Sequence, residues 1–199
     1  NASYEWLALN HFADIHNPGL GITLSNRDCY FMKTGASTNA FLDEDTPHIS
    51  VLAGGRTNNH GIRFQGGDTL FTQRFALKTH SGYEPVAAMK FSLEHQNPMV
   101  TGWVTALSST HELPESSFSI LQADNPNVIG WSLKPAEEGP EAGYVARIWN
   151  LSADVENFRL ESDLGITSAR KLTLIETPLE EAATAGPTIE DHAEPFGFR

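Results

Sequence analysis

The stretch Asp68-Thr69-Leu70-Phe71-Thr72-Gln73-Arg74-Phe75-Ala76-Leu77-Lys78 decides the fold class. It alternates with period two, placing Phe71, Phe75 and Leu77 on one face of a strand and Thr72 and Arg74 on the other. The same period returns from Tyr144 to Leu151, where Val145, Arg147, Trp149 and Leu151 oppose Tyr144, Ala146, Ile148 and Asn150. Bulk on both faces predicts a central strand between two layers. Phe71, Phe75, Leu77, Trp131, Leu133, Val145 and Trp149 are the expected core.

Shorter strands are predicted over 21–25, 29–33, 48–52, 100–107, 118–121, 128–134, 155–160 and 172–176. Clusters of Gly, Pro, Asn and Asp separate them, as at Asn17-Pro18-Gly19 and Asp124-Asn125-Pro126-Asn127. One helix is predicted, from Pro85 to about His95. Proline suits a first helical position, and Val86, Met89 and Leu93 form a stripe. Pro98 ends it, because the residue before a proline is driven out of helical geometry. Many strands with a single short helix predict a mostly β, large antiparallel β-sandwich.

The chain has 199 residues, enough for one substantial core without disulfide or metal staples. Its single cysteine, Cys29, lies in the apolar run Cys29-Tyr30-Phe31-Met32 and reads as a packed thiol. Thirteen basic residues against 25 acidic ones give a formal charge of −12. That balance argues against nucleic acid and anionic membranes as partners, since phosphate binding needs clustered Lys and Arg. No apolar run approaches the ~20 residues of a membrane span. With no signal-peptide pattern at the start, the chain reads as cytoplasmic. The opening Asn1-Ala2, without an initiator Met, reads as a segment of a longer protein.

Six blocks, in order, carry a family resemblance. They are Gly67-Asp68-Thr69-Leu70-Phe71 running into Arg74-Phe75-Ala76-Leu77, then Leu93-Glu94-His95-Gln96-Asn97-Pro98, Asn125-Pro126-Asn127-Val128, Leu133-Lys134-Pro135-Ala136-Glu137-Glu138-Gly139, Ala146-Arg147-Ile148-Trp149-Asn150-Leu151 and Ile175-Glu176-Thr177-Pro178-Leu179-Glu180. Together they resemble the C-terminal β-region of glycoside hydrolase family 38, the α-mannosidases, over roughly 19–181.

The resemblance implies a supersandwich of the galactose-mutarotase type over 1–181, with 143–181 a candidate small terminal sub-unit. Relatives close with another apolar strand where this chain runs to Pro195-Phe196-Gly197-Phe198-Arg199, so 182–199 is expected to be a loop or truncated final strand. It further implies a parent enzyme that hydrolyses α-mannosides with retention. The zinc ligands and the nucleophilic aspartate would lie in an N-terminal catalytic domain of the same polypeptide. This chain would then carry no catalytic residue, metal ligand or cofactor. It would brace that domain, line its cleft for the α-mannoside, and offer a surface for a homo-oligomer.

Several clusters carry a sharper reading beside a plain one. His11, Asp14 and His16 suggest a metal, but on a strand His11 points away from the other two, and zinc needs convergent ligands. Glu94 and His95 suggest an acid–base pair, yet Glu94-His95-Gln96-Asn97 ends a helix and serves equally to satisfy loose carbonyls. A glycosidase also needs a second, opposed carboxyl. Asn26-Arg27-Asp28 reads as a turn; from that turn Arg27 and Asp28 are the candidate substrate contacts. Asn150-Leu151-Ser152 is a formal glycosylation acceptor at the end of a core strand.

Two rival functions remain open. A stand-alone carbohydrate-binding module would display aromatic rings to solvent. Trp6, Trp103, Trp131 and Trp149 are the candidates, with Trp131 and Trp149 expected in the core and Trp103 the one to watch. A mutarotase-type sugar epimerase would need a convergent acid and base, drawn from His80, His95 and Glu94.

Overall fold

The computed structural model describes residues 3–51, 70, 72–103, 116–181, 184–185 and 187–199. The chain divides into two compact units, Asn1–Gly102 and Trp103–Arg199. Every described strand bonds to strands of its own unit.

The first unit contains β1 (Leu7–Ala8), β2 (Phe12–Asn17), β3 (Leu20–Asn26), β4 (Phe31–Thr34), β5 (Ile49–Val51), β6 (Phe75–His80) and the helix α1 (Pro85–Gln96). They form two antiparallel sheets, ordered β1-β4-β5 and β2-β3-β6. Helix α1 begins with Pro85 and ends at Asn97, one residue before Pro98. It packs on β3 through Ala88 and Ser92, rather than through the expected Val86, Met89 and Leu93 stripe. The sheet face beneath it consists of Gly21, Thr23 and Ser25, all buried and all small. Small residues on both sides let the helix approach closely enough for Ser92 Oγ to meet Ser25 Oγ at 3.0 Å.

The opposite face of this sheet is apolar and open among the described residues. Cross-strand partners share a face, so Ile15 and Ile22 lie beside Thr79, and Leu24 beside Leu77. Leu20, Ile22 and Leu77 are exposed, Leu77 by 68%. The strand at 68–78 therefore begins at Phe75 within the described residues, and Leu77 is a surface residue. Phe75 is half-buried, while Phe71 lies outside the described residues.

The second unit contains β7 (Gln122–Ala123), β8 (Val128–Pro135), β9 (Tyr144–Asn150), β10 (Glu156–Glu161), β11 (Arg170–Leu172), β12 (Pro178–Glu181), β13 (Thr184–Ala185) and β14 (Thr188–Ala193). A four-stranded sheet, β13-β14-β10-β7, faces the β8–β9 hairpin; β11 and β12 pair separately. The core between the two layers is Val128, Ile148, Phe158, Leu160 and Ala193, flanked by Leu121, Ala123, Ala146 and Ile189. This is a β-sandwich, mostly β and antiparallel as the alternation predicts. No helix among the described residues is long and apolar enough to cross a membrane.

Two expectations change here. In β9 the inward face is Ala146, Ile148 and Asn150, with Val145 and Trp149 half-buried on the other side. Trp131 and Leu133 are exposed rather than core, by 37% and 40%. Both faces of β9 carry bulk, and only packing on Phe158 and Leu160 selects one. The second change is in the 182–199 tail, expected as a loop or truncated final strand, which carries β13 and β14. β14 pairs with β10 from Thr188 to Ala193, placing Ile189 and Ala193 inward. The chain then turns at Gly197, where a Cβ would lie 2.9 Å from the Glu194 carbonyl oxygen. Arg199 exchanges backbone hydrogen bonds with Ile148, and Gly197 accepts from the Asn150 amide, so 197–199 borders β9.

Candidate functional site

In β2, Asp14 and His16 point to the helix side of the sheet. Register places His16 beside Gly21, and Gly21 beside His80 of β6. Two imidazoles therefore lean over one glycine: a Cβ at Gly21 would lie 2.2 Å from His80 Cε1 and 2.6 Å from His16 Cβ. Between them the Asp14 carboxylate accepts three hydrogen bonds, from Thr23 Oγ1 at 2.5 Å, His16 Nδ1 at 2.8 Å and His80 Nε2 at 2.9 Å. Tyr83 stacks on His16 with ring centroids 4.8 Å apart.

Burial pushes the Asp14 carboxyl up, but the bonds from Thr23, His80 and His16, together with the charge of His80, outweigh it and hold the group below its ordinary value. Burial, and then the Asp14 charge, push the Tyr83 phenol up. An ionised carboxylate only accepts, so Nε2 of His80 carries a proton toward Asp14. Its Nδ1 is buried and unpartnered among the described residues. An open depression lined by Gly19, Leu20, Thr79, His80 and Ser81 adjoins the ring.

This is an ordered polar cluster. Its donors bind one another, and no three His, Cys, Asp or Glu among the described residues are arranged to hold a metal. His11 lies apart, with Nδ1 2.8 Å from Gln96 Oε1. His80 and Tyr83 reach Asp14 only through strand register, and a glycine opposite two histidines is the signal that register would have made readable.

Asp28 sits in the turn after β3. It accepts from the Arg74 amide at 2.9 Å, from Nε at 2.8 Å and from Nη2 at 2.6 Å. This two-pronged grip on the side chain, aided by the amide and the nearby cations, brings Asp28 down to about 2. Arg27 donates its amide to the Arg74 carbonyl, and its side chain is half-buried. Asn26 holds the turn: buried, it donates Nδ2 to the Leu9 carbonyl and accepts the Cys29 amide. Cys29 is buried beside it.

At the end of α1, His95 Nδ1 contacts Ser25 Oγ at 2.9 Å, and Gln96 Nε2 donates to the carbonyls of Asn10 and Asn26. Asn97 caps the Leu93 carbonyl with both its amide and its side chain. Glu94 is exposed. These residues clamp helix to sheet, and Glu94 and His95 do not form a pair aimed at one substrate atom.

In the second unit, Asn125 and Asn127 both donate to Glu156, fixing the turn that launches β8 and lowering the Glu156 carboxyl below its ordinary value. Asn150 is fully buried. Its Nδ2 contacts the carbonyls of Asp154, Ala193 and Glu194, so it is no glycan acceptor. On the outer face of β8–β9, Trp131, Trp149 and Phe198 form an aromatic cluster: Trp131 meets Trp149 edge-on at 5.1 Å, and Phe198 stacks on Trp149 at 5.1 Å. Trp103 is fully exposed, and Trp6 is half-buried.

The facing layers of the second unit, closed on Val128, Ile148, Phe158, Leu160 and Ala193, define a β-sandwich. Residues 127–196, within the second unit, match the family described as glycosyl hydrolases family 38 C-terminal beta sandwich domain. The match takes in β8 to β14 and extends past the 181 limit drawn from the motifs. No curated protein matches the chain.

Proposed function

We propose that this chain is the non-catalytic C-terminal region of a zinc-dependent, retaining α-mannosidase, bracing an N-terminal catalytic domain of the same polypeptide. The observation that carries this reading is the family match over 127–196. Retaining hydrolysis needs two carboxyls roughly 5 Å apart across the scissile bond. Two carboxylates of the first unit are already engaged, Asp14 with two imidazoles and a hydroxyl and Asp28 with Arg74. In this reading the zinc is held by the catalytic domain, and the groups around Asp14 bind one another. The open apolar face of β2-β3-β6 supplies a surface for that domain, as a sheet leaves such a face uncovered where a second layer docks. Arg27 and Asp28, in the turn after β3 that Asn26 and Arg74 hold, are the proposed contacts to the α-mannoside at the rim of the cleft.

The test is a calorimetric zinc titration and an aryl α-mannoside assay, run on this chain alone and on the chain joined to its upstream polypeptide. Activity and stoichiometric zinc are expected only in the joined protein. Tight zinc binding with chelator-sensitive turnover in the chain alone overturns the reading.

A further inference from the structure

We propose that Trp131, Trp149 and Phe198 form a stacking platform for one pyranose ring of a neutral, mannose-type glycan. The inference rests on the glycoside hydrolase reading for the class of ligand alone; the platform itself comes from geometry.

The β8–β9 ladder is irregular between Gly130 and Ser132, where Gly130 pairs Ile148 and Ser132 pairs Arg147. Trp131 is the extra residue, and a bulge of this kind re-aims a side chain. It turns the indole onto the outer face, beside Trp149. Three contacts immobilise Trp149: its Nε1 donates to the Phe196 carbonyl at 3.2 Å, Phe198 stacks on it at 12°, and Trp131 meets it at 83°. The result is a rigid aromatic corner whose outer members remain in water, Trp131 by 37% and Phe198 by 44%. The sandwich core lies on the other face of the hairpin, so the cluster is not needed to close it.

The surroundings favour a sugar over a protein. Along the same face, Arg147 lies opposite Ser132, and Lys134 follows, bonded to Glu176 at 2.6 Å. Arg147 reaches the Leu174 carbonyl at only 3.4 Å. A pyranose presents an apolar C–H face to an aromatic ring and hydroxyls at its edge. Those hydroxyls accept from guanidinium and ammonium groups and donate to a carboxylate. Three rings hemmed in by charges of both signs offer far less than the roughly 800 Å² per partner of a stable protein interface. They match one sugar ring.

The experiment titrates the full chain with methyl α-mannoside and an α-linked mannobiose, with cellobiose for comparison. Tryptophan emission and calorimetry are the readouts. A saturable emission change at millimolar mannoside is expected. Trp131→Ala should weaken binding by about tenfold, and Trp131→Phe, which keeps a ring, by less. Circular dichroism and the melting temperature confirm that both variants fold. Trp103→Ala should leave binding unchanged. Absence of a saturable response in the wild-type chain overturns the proposal, as do folded Trp131 variants that bind like wild type or a response abolished by Trp103→Ala. Sugar binding together with hydrolysis by the chain alone would sink the accessory-domain reading and leave the platform standing. An inactive chain that ignores sugar would do the reverse.

Discussion

Asn150 shows how much one polar side chain can decide. It is fully buried, its amide serving three carbonyls that end β14 and the loop after β9, while its oxygen accepts the Ser152 amide. Asn150→Ala would strand those groups, and an unsatisfied buried polar group costs about 1–3 kcal/mol. We expect a loss of about 2–4 kcal/mol in urea unfolding of the full chain. Asp43 governs acid stability in the first unit in a similar way. It is buried and accepts the amides of Ala36, Asp45 and Thr46, and bonds from Ala36 and Thr46 hold its carboxyl at about 2, against an ordinary 3.8. A depressed carboxylate stabilises the fold above its unfolded value, and that contribution is lost as pH falls through the folded value. Unfolding midpoints should therefore decline between about pH 4 and pH 2. Asp43→Asn should flatten that decline, leaving the part due to Asp28 and Arg74.

Among the elements, the β2-β3-β6 sheet depends on a residue with no side chain. Gly21 leaves room for His16 and His80 to share Asp14. Gly21→Ala should push His80 off the carboxylate and cost about 1–3 kcal/mol, the usual scale of overpacking. The check is the His80 Nε2 proton resonance by NMR, which should lose the downfield position of a proton hydrogen-bonded to a carboxylate. The β8–β9 hairpin illustrates the limit of alternation. Tyr144–Asn150 alternates two bulky sets, and period two says only that they are opposed. Packing against Phe158 and Leu160 draws Ile148 inward and leaves Trp149 half-buried.

At the scale of the whole molecule, the apolar face with Leu20, Ile22 and Leu77 is the feature that an accessory role explains. Leu77 is 68% exposed, so Leu77→Glu should change the stability of this chain by less than about 0.5 kcal/mol. If the face seats a catalytic domain, the same substitution should impair α-mannoside hydrolysis by the joined protein. Unchanged turnover there, with the chain equally stable, would remove this face from the docking surface.

The strands from 20 to 26, 128 to 135, 144 to 150 and 156 to 161, and the helix from Pro85, were legible in the sequence. Pleating and helical pitch stamp a local period, and Pro, Gly and Asn mark where it stops. So was the resemblance that the match over 127–196 repeats, because Asn125-Pro126-Asn127 and Ala146–Leu151 are held by local and near-neighbour constraints. Tertiary structure alone decided which face of β9 is buried, that 188–193 is a strand of the sandwich, and that His80 and Tyr83 join Asp14. It also decided that Trp131, Trp149 and Phe198 meet in solvent. Each of these depends on register and layer packing between segments far apart in the chain, and a single sequence carries no measure of distance across a fold.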